Sequence, residues 1–368
     1  MRSATRARWW GALVVVAGCG GEPTTTGGGA GPEPSNEPPP VMIDLARLGP
    51  ACFSGGEAAE LDLDSPEPNW TWNDPSVLVV GDEYWMYASA TDNFEFPVRL
   101  YRLTSKDGVH WTLASTTPIL DVGPAGSWDA GGVETPAVVE FNGQYHLFYT
   151  GYPVPPSDPN HAVTDYRVGH AVSDDGLSFT RADENPIVAP GGADFRAYVV
   201  GEPGPVVHSG QLELYFTAVG NDPDLGVLQV VGVTTSADGA TFSEPERALA
   251  PNQALYPRAD DWVGYSTPFA VELAGEVHLF YDVAQQPPNG AWRQLAVHHA
   301  RKSGSGWVED EAPIRRANDL PWAVDEIRSP AALLDGTSLR LWVAGHDFTS
   351  AAAPQFGVGE LDCDLAAE

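Results

Sequence analysis

Thr135 to Tyr149 reads TPAVVEFNGQYHLFY, and close versions of it occur at four other places in the chain. The others are DPSVLVVGDEYWMY from Asp74, EPGPVVHSGQLELYF from Glu202, TPFAVELAGEVHLFY from Thr267 and SPAALLDGTSLRLW from Ser329. Each has a proline, an alternating apolar run, a Gly or polar turn, and a second apolar run ending in aromatics, which is the pattern of a β-hairpin. The prolines at 75, 136, 203, 268 and 330 are spaced by 61, 67, 65 and 62 residues, enough for a four-stranded sheet with its loops.

A second signature follows 30 to 37 residues behind each of the first four prolines: SKDGVHW from Ser105, SDDGLSF from Ser173, SADGATF from Ser236 and the shorter SGSGW from Ser303. Asp-Gly supplies positive φ, so these read as turns between third and fourth strands. They lack the residue between Asp and Gly that a sialidase Asp-box carries, and are read as structural. Radial repetition fixes architecture before any single motif does. The expectation is an all-β fold, a five-bladed β-propeller with four-stranded antiparallel blades.

The chain has 368 residues, 43% of them hydrophobic, with 39 Gly and 33 Pro. That composition fits short strands and turns and argues against a helical bundle. Fifty acidic against 19 basic residues give a net charge of −31, which repels phosphate backbones, so nucleic acid is not an expected partner.

Arg2, Arg6 and Arg8 precede a short apolar run from Trp9 to Ala17, the order of a secretory signal. Val16-Ala17-Gly18-Cys19 resembles a bacterial lipobox, which implies that residues 1–18 are removed and that Cys19 is lipidated. Gly20 lacks the Asp that the resemblance associates with inner-membrane retention, so the expected location is the cell envelope, at the outer membrane or cell surface. Residues 19–45 read as a tether rich in Gly, Pro and Thr, and 46–368 as the propeller. In an oxidising compartment Cys52 and Cys363 are expected to pair. The fifth repeat has no turn box before the chain ends, so its outer strand is expected from residues near Cys52, with the disulfide stapling the closure.

In a propeller the innermost strands line the axial channel, so the residues before the five prolines occupy equivalent places: Asp74, Thr135, Glu202, Thr267 and Ser329. Two are carboxylates, on the first and third repeats. Glycoside cleavage needs two carboxyl groups, one to donate a proton to the leaving oxygen and one to act on the anomeric carbon or on a water. Asp74 and Glu202 are therefore the catalytic candidates. Trp72, Asn73, Thr135, Tyr265, Thr267 and Arg328 are the substrate-binding candidates, since aromatic faces bind sugar C–H surfaces and polar rim groups bind hydroxyls.

On these residues the sequence resembles the five-bladed propeller glycosidases, the superfamily of arabinanases, levansucrases and invertases (glycoside hydrolase families 43 and 32). Trp72-Asn73-Asp74-Pro75 is similar to the Asn-Asp-Pro or Asp-Pro motif of its branches. The resemblance implies that Asp74 is nucleophile or general base and Glu202 the proton donor. It also implies an Asp before the second-repeat proline, to tune the acid or bind the sugar, where this chain has Thr135. Glu134 and Asp129 are the candidates for that third carboxylate, although alternation sends neighbouring strand residues to opposite faces. The alternative reading is a non-catalytic carbohydrate-binding or scaffold lipoprotein, for which Thr135 is the main argument. Phosphorolysis needs clustered cations and only Arg328 is a rim candidate. No cofactor is expected. A channel Ca²⁺ near His346 is implied by some members of the superfamily, but the metal stays unassigned.

Overall fold

A computed structural model describes residues 42–54, 58–67, 70–92, 96–155, 165–257, 262–286, 293–348 and 355–367. The expected signal segment, Cys19 and all but the last residues of the tether lie outside them. The described chain is built of strands, with only two short helical turns, Leu45–Arg47 and Pro50–Ser54.

Each sequence repeat folds as an antiparallel meander. The first repeat runs through Trp70–Val80, Glu83–Asp92, Arg99–Ser105 and His110–Leu113. The second uses Gly132–Phe141, Gln144–Tyr152, Arg167–Ser173 and Thr180–Arg181. The third and fourth, starting at Val199–His208 and Trp262–Leu273, join into one sheet through a single parallel pairing of Gln229 with Gly264. The fifth comprises Glu326–Asp335, Ser338–Asp347 and Gln355–Asp364, and its outer strand is Ala59–Glu60 from the other end of the chain. Cys52 is bonded to Cys363 beside that seam, closing a separation of 311 residues. The expected source of the outer strand and the expected disulfide are both found.

Among the described residues the core divides into clusters that each span two successive repeats. Tyr87 and Leu100 pack with Val138 and Leu147, Phe148 with Leu212 and Phe216, Tyr215 with Tyr265 and Tyr281, and Phe280 with Val343 and Leu361. Trp342 and Val358 of the fifth repeat then pack with Met86, Leu103 and Trp111 of the first. Burying one such large side chain contributes roughly 1.5–3 kcal/mol.

The turn boxes act as expected. Ser105 Oγ accepts from Gly108 N at 2.8 Å while Asp107 Oδ1 accepts from Val109 N and His110 N, both at 2.9 Å. The boxes at Ser173 and Ser236 repeat this network. Gly108 sits at φ 79°, and a Cβ there would lie 2.3 Å from the Arg340 guanidinium of the fifth repeat, so packing and backbone both demand glycine.

Candidate active site

A β-bulge, the same in all five repeats, builds the site. Between Asn73 and Ser76 the first strand spends two residues, Asp74 and Pro75, against one on its partner. The shift recurs between Glu134 and Ala137, Gly201 and Gly204, Ser266 and Phe269, and Arg328 and Ala331. At the bulge Asp74, Thr135, Glu202, Thr267 and Ser329 all take positive φ, from 42° to 53°. L-residues pay about 1–2 kcal/mol for that conformation. With their prolines, the five residues line one narrow cavity.

The second strands of the first four repeats tie this ring together. Ser89 Oγ donates to Asp74 Oδ2 at 2.9 Å and accepts from Thr135 N at 2.8 Å. Thr150 Oγ1 bonds Thr135 Oγ1 and accepts from Glu202 N at 2.7 Å. Thr217 accepts from Thr267 N at 2.9 Å and donates to Glu202. Asp282 accepts from the Thr267 hydroxyl and, at 3.3 Å, from Ser329 N. The fifth repeat has Ala344 at this register, which cannot bond, and Ser329 Oγ instead donates directly to Asp74 Oδ1 at 2.6 Å.

The bulge also breaks strand alternation, so two consecutive residues face the funnel. Ser266 and Thr267 both donate to Asp282, and Asn73 and Asp74 line one cavity of about 240 Å³ with Glu134, Ser89, Thr91, Phe96 and Phe356. Glu134 thus faces the same space as Asp74, against the expectation from alternation. Its Oε2 accepts from Tyr152 OH at 3.3 Å. Burial, reinforced by the Asp74 charge, pushes its carboxyl up to about 8.

Arg328 is the cation of the ring. Its Nη2 lies 3.8 Å from Glu202 Oε1, and although burial opposes its charge, Asp74, Glu202, Asp282 and Glu326 together hold it protonated. Burial and the Asp282 charge raise the Glu202 carboxyl, with Arg328 opposing. Asp282, fully buried, was not singled out from the sequence; a polar residue in the second strand of a repeat carries no motif there.

Three expected site residues lie elsewhere. Trp72 and Tyr265 are two positions before the rim, where the bulge turns side chains into the core: they are 3% and 0% exposed, like Val133, Val200 and Ile327 at the same register. Trp72 Nε1 donates to Ser65 Oγ and Tyr265 OH to Glu309 Oε1, so both are packing residues. Asp129 is clamped by Arg181 Nε at 2.6 Å, Tyr149 OH at 3.1 Å and Ser127 Oγ at 2.8 Å, a structural ion pair rather than a third carboxylate of the funnel. Thr135, Thr267, Asn73 and Arg328 do come together with Asp74 and Glu202 at the ring and its adjoining cavity.

His346 Nδ1 donates to Glu326 Oε2 at 2.8 Å, and its Nε2 lies 3.4 Å from Asn73 Oδ1. Burial lowers its pKa, which favours the neutral ring. Among the described residues no three His, Cys, Asp or Glu side chains converge to hold a metal ion, so no Ca²⁺ is assigned at His346.

No protein-family profile matches the sequence, and no curated protein matches it. Solved structures do match. A thermostable family-43 glycoside hydrolase superposes with a TM-score of 0.56 at 17% identity, covering 79% of this chain and 89% of that one. A family 117 glycoside hydrolase of the marine bacterium Zobellia galactanivorans gives 0.59 at 15% identity over 84% and 90%. An arabinanase of Bacillus subtilis gives 0.53 at 13% identity over 80% and 95%. The chain has the β-propeller fold of these glycoside hydrolases, as the repeats and the Asn73-Asp74-Pro75 motif led us to expect.

Proposed function

We propose that the protein is an extracytoplasmic glycoside hydrolase, a five-bladed propeller whose five repeats are its blades, cleaving an oligo- or polysaccharide with two carboxyl groups. One observation carries this reading: of five equivalent bulge positions around the ring, two hold carboxylates, Asp74 and Glu202, on a fold shared with glycoside hydrolases. Glu202, raised by burial and by its acidic neighbour, is suited to keep a proton for the leaving oxygen. Asp74, which accepts from the Ser89 and Ser329 hydroxyls, is suited to act on the anomeric carbon or on a water. Glu134 is the third carboxylate of the funnel, one residue ahead of the place that the resemblance gives it.

The cavity beside Asp74 is lined both by polar groups and by Phe96, Val98 and Phe356, the mixture that holds a sugar ring by its hydroxyls and its C–H face. Lipidation of Cys19 and a tether to residue 45 would hold the enzyme at the envelope. Loss of membrane association in a Cys19→Ser chain tests that part.

Turnover of a polysaccharide panel by the propeller from residue 46, with Asp74→Asn and Glu202→Gln beside it, tests the chemistry. Both variants are expected to lose activity by about 10²–10⁴-fold. Unchanged turnover would remove the catalytic assignment. The second reading, a non-catalytic carbohydrate-binding propeller, is favoured by Thr135 standing in place of an Asp. It predicts sugar binding by wild type with no product from any substrate.

A further inference from the structure

Four of the five repeats place a hydrogen-bonding side chain at one register of the second strand, paired with the residue just before the rim: Ser89, Thr150, Thr217 and Asp282. Each bonds the rim residue of its own repeat and accepts from the rim N–H of the next. A hydroxyl does this three times. The fourth repeat does it with a carboxylate that is 0% exposed, and burying a charge is costly compared with burying a hydroxyl. The hydrogen-bonding task therefore does not account for Asp282.

Three donors point at Asp282: the Ser266 hydroxyl, the Thr267 hydroxyl and Ser329 N–H. An ionised carboxylate accepts only, and three donors suit that form. Thr267 touches both acids, since its N–H also donates to Glu202 Oε2 at 3.2 Å. Two carboxyl groups thus share one bridging residue, beside a single Arg328. Glu202 is the more accessible of the two, with 22% of its side chain exposed.

We propose that Asp282 is a positioning residue whose fixed negative charge, held against Thr267, keeps the proton on Glu202. The assignment rests on the hydrolytic reading only for its use: a proton held on Glu202 is what a leaving group would receive. Groups facing Glu202 from the other repeats are Arg328 of the fifth, which opposes this effect, and Glu134 and Tyr166 of the second, which also sense its charge. Thr135, uncharged, supplies nothing comparable from the second repeat.

The test is a carbon-detected NMR titration of Glu202 in protein labelled at the Glu and Asp carboxyl carbons, with Glu202→Gln and Asp282→Asn giving the assignments. In wild type, Asp282 is expected to lose its proton at lower pH than Glu202. Asp282→Thr, which installs the side chain that the third repeat already uses, can keep the bonds to Thr267 and to Ser329 N–H, gives up the one from Ser266 and removes the charge. It is expected to lower the Glu202 midpoint by about one pH unit, a tenfold loss of proton affinity. The alkaline limb of any pH–rate profile should move by the same amount. A Glu202 midpoint unchanged in Asp282→Thr, or a wild-type Glu202 that ionises before Asp282, overturns the proposal. Should the variant fail to fold, the wild-type order still decides. The titration needs no substrate, so its failure overturns the role of Asp282, whereas absent turnover overturns hydrolysis alone.

Discussion

The ring and the outer turns are both made of repeated acids and hydroxyls, yet their acids behave oppositely. At the outer turns Asp107, Asp175 and Asp238 accept from two backbone N–H groups each or nearly so, in full contact with water, and are held below the usual carboxylate range. At the ring Glu134, Glu202 and Asp282 are desolvated by burial and are pushed above it. Donor supply and solvent decide the sign, not the residue type. The outer acids stabilise a turn and hold no proton at neutral pH. Glu134 and Glu202 are the ring acids suited to hold a proton, which is what acid–base chemistry needs.

The largest break in this comparison is chemical. Asp74→Asn and Glu202→Gln should lose about 10²–10⁴-fold in turnover while their melting curves stay near wild type, whereas outer-turn variants should do the reverse. Equal activity losses from both sets, read in one assay, would erase the distinction.

Next comes Glu134. A carboxyl whose folded value is raised to about 8 stabilises the folded state fully only below its unfolded value, and that stability is lost as pH rises through 8. Glu134→Gln should match wild type near pH 5 and exceed it by on the order of 2–4 kcal/mol at pH 8 in urea unfolding. Parallel stability curves would show that the residue is not held protonated.

A smaller effect lies at a site between ring and turns. On the diagonal between second and third strands, the first repeat stacks Arg102 on Trp85, the second and fourth stack His146 on His170 and His278 on His299, and the fifth pairs Arg340 with Glu360. Burial lowers His170 and His278 to about 4. Their neutral forms fit the fold, so stability is present above about pH 6.5 and is lost as pH falls toward 4. His170→Phe, flanked by Phe148 and Phe242, should flatten that acid limb by about 2 kcal/mol between pH 7 and 4. An unchanged slope would place acid sensitivity elsewhere.

The smallest is at the turn itself. Asp238, lowered to about 2 by the N–H groups of Thr241 and Ala240, stabilises above the unfolded carboxylate value, and this is lost as pH falls toward 2. Asp238→Ala should lower the melting temperature by about 2 °C at pH 7, not at pH 2, with activity retained.

Much of this was legible in the chain. Proline spacing gave the repeats, Asp-Gly gave the turns, and the residues before the prolines gave the ring with Asp74 and Glu202 in it. Alternation failed next to those prolines because the bulge adds a residue there, bringing Glu134 into the funnel and turning Trp72 and Tyr265 into the core. Asp129 sits near a strand in sequence but reaches Arg181 instead of the ring.

Local order along the chain was enough to set strands, turns and the repeat, because hairpins and tight turns form between near neighbours and leave their pattern in consecutive residues. Which acids meet through a common neighbour was settled only by cross-strand register and closure. Asp282 meets Glu202 through Thr267, and Ser329 meets Asp74 across 255 positions, contacts between residues far apart in the chain. Burial, which raises the Glu202 and Asp282 carboxyls, exists only once the repeats have packed around the ring.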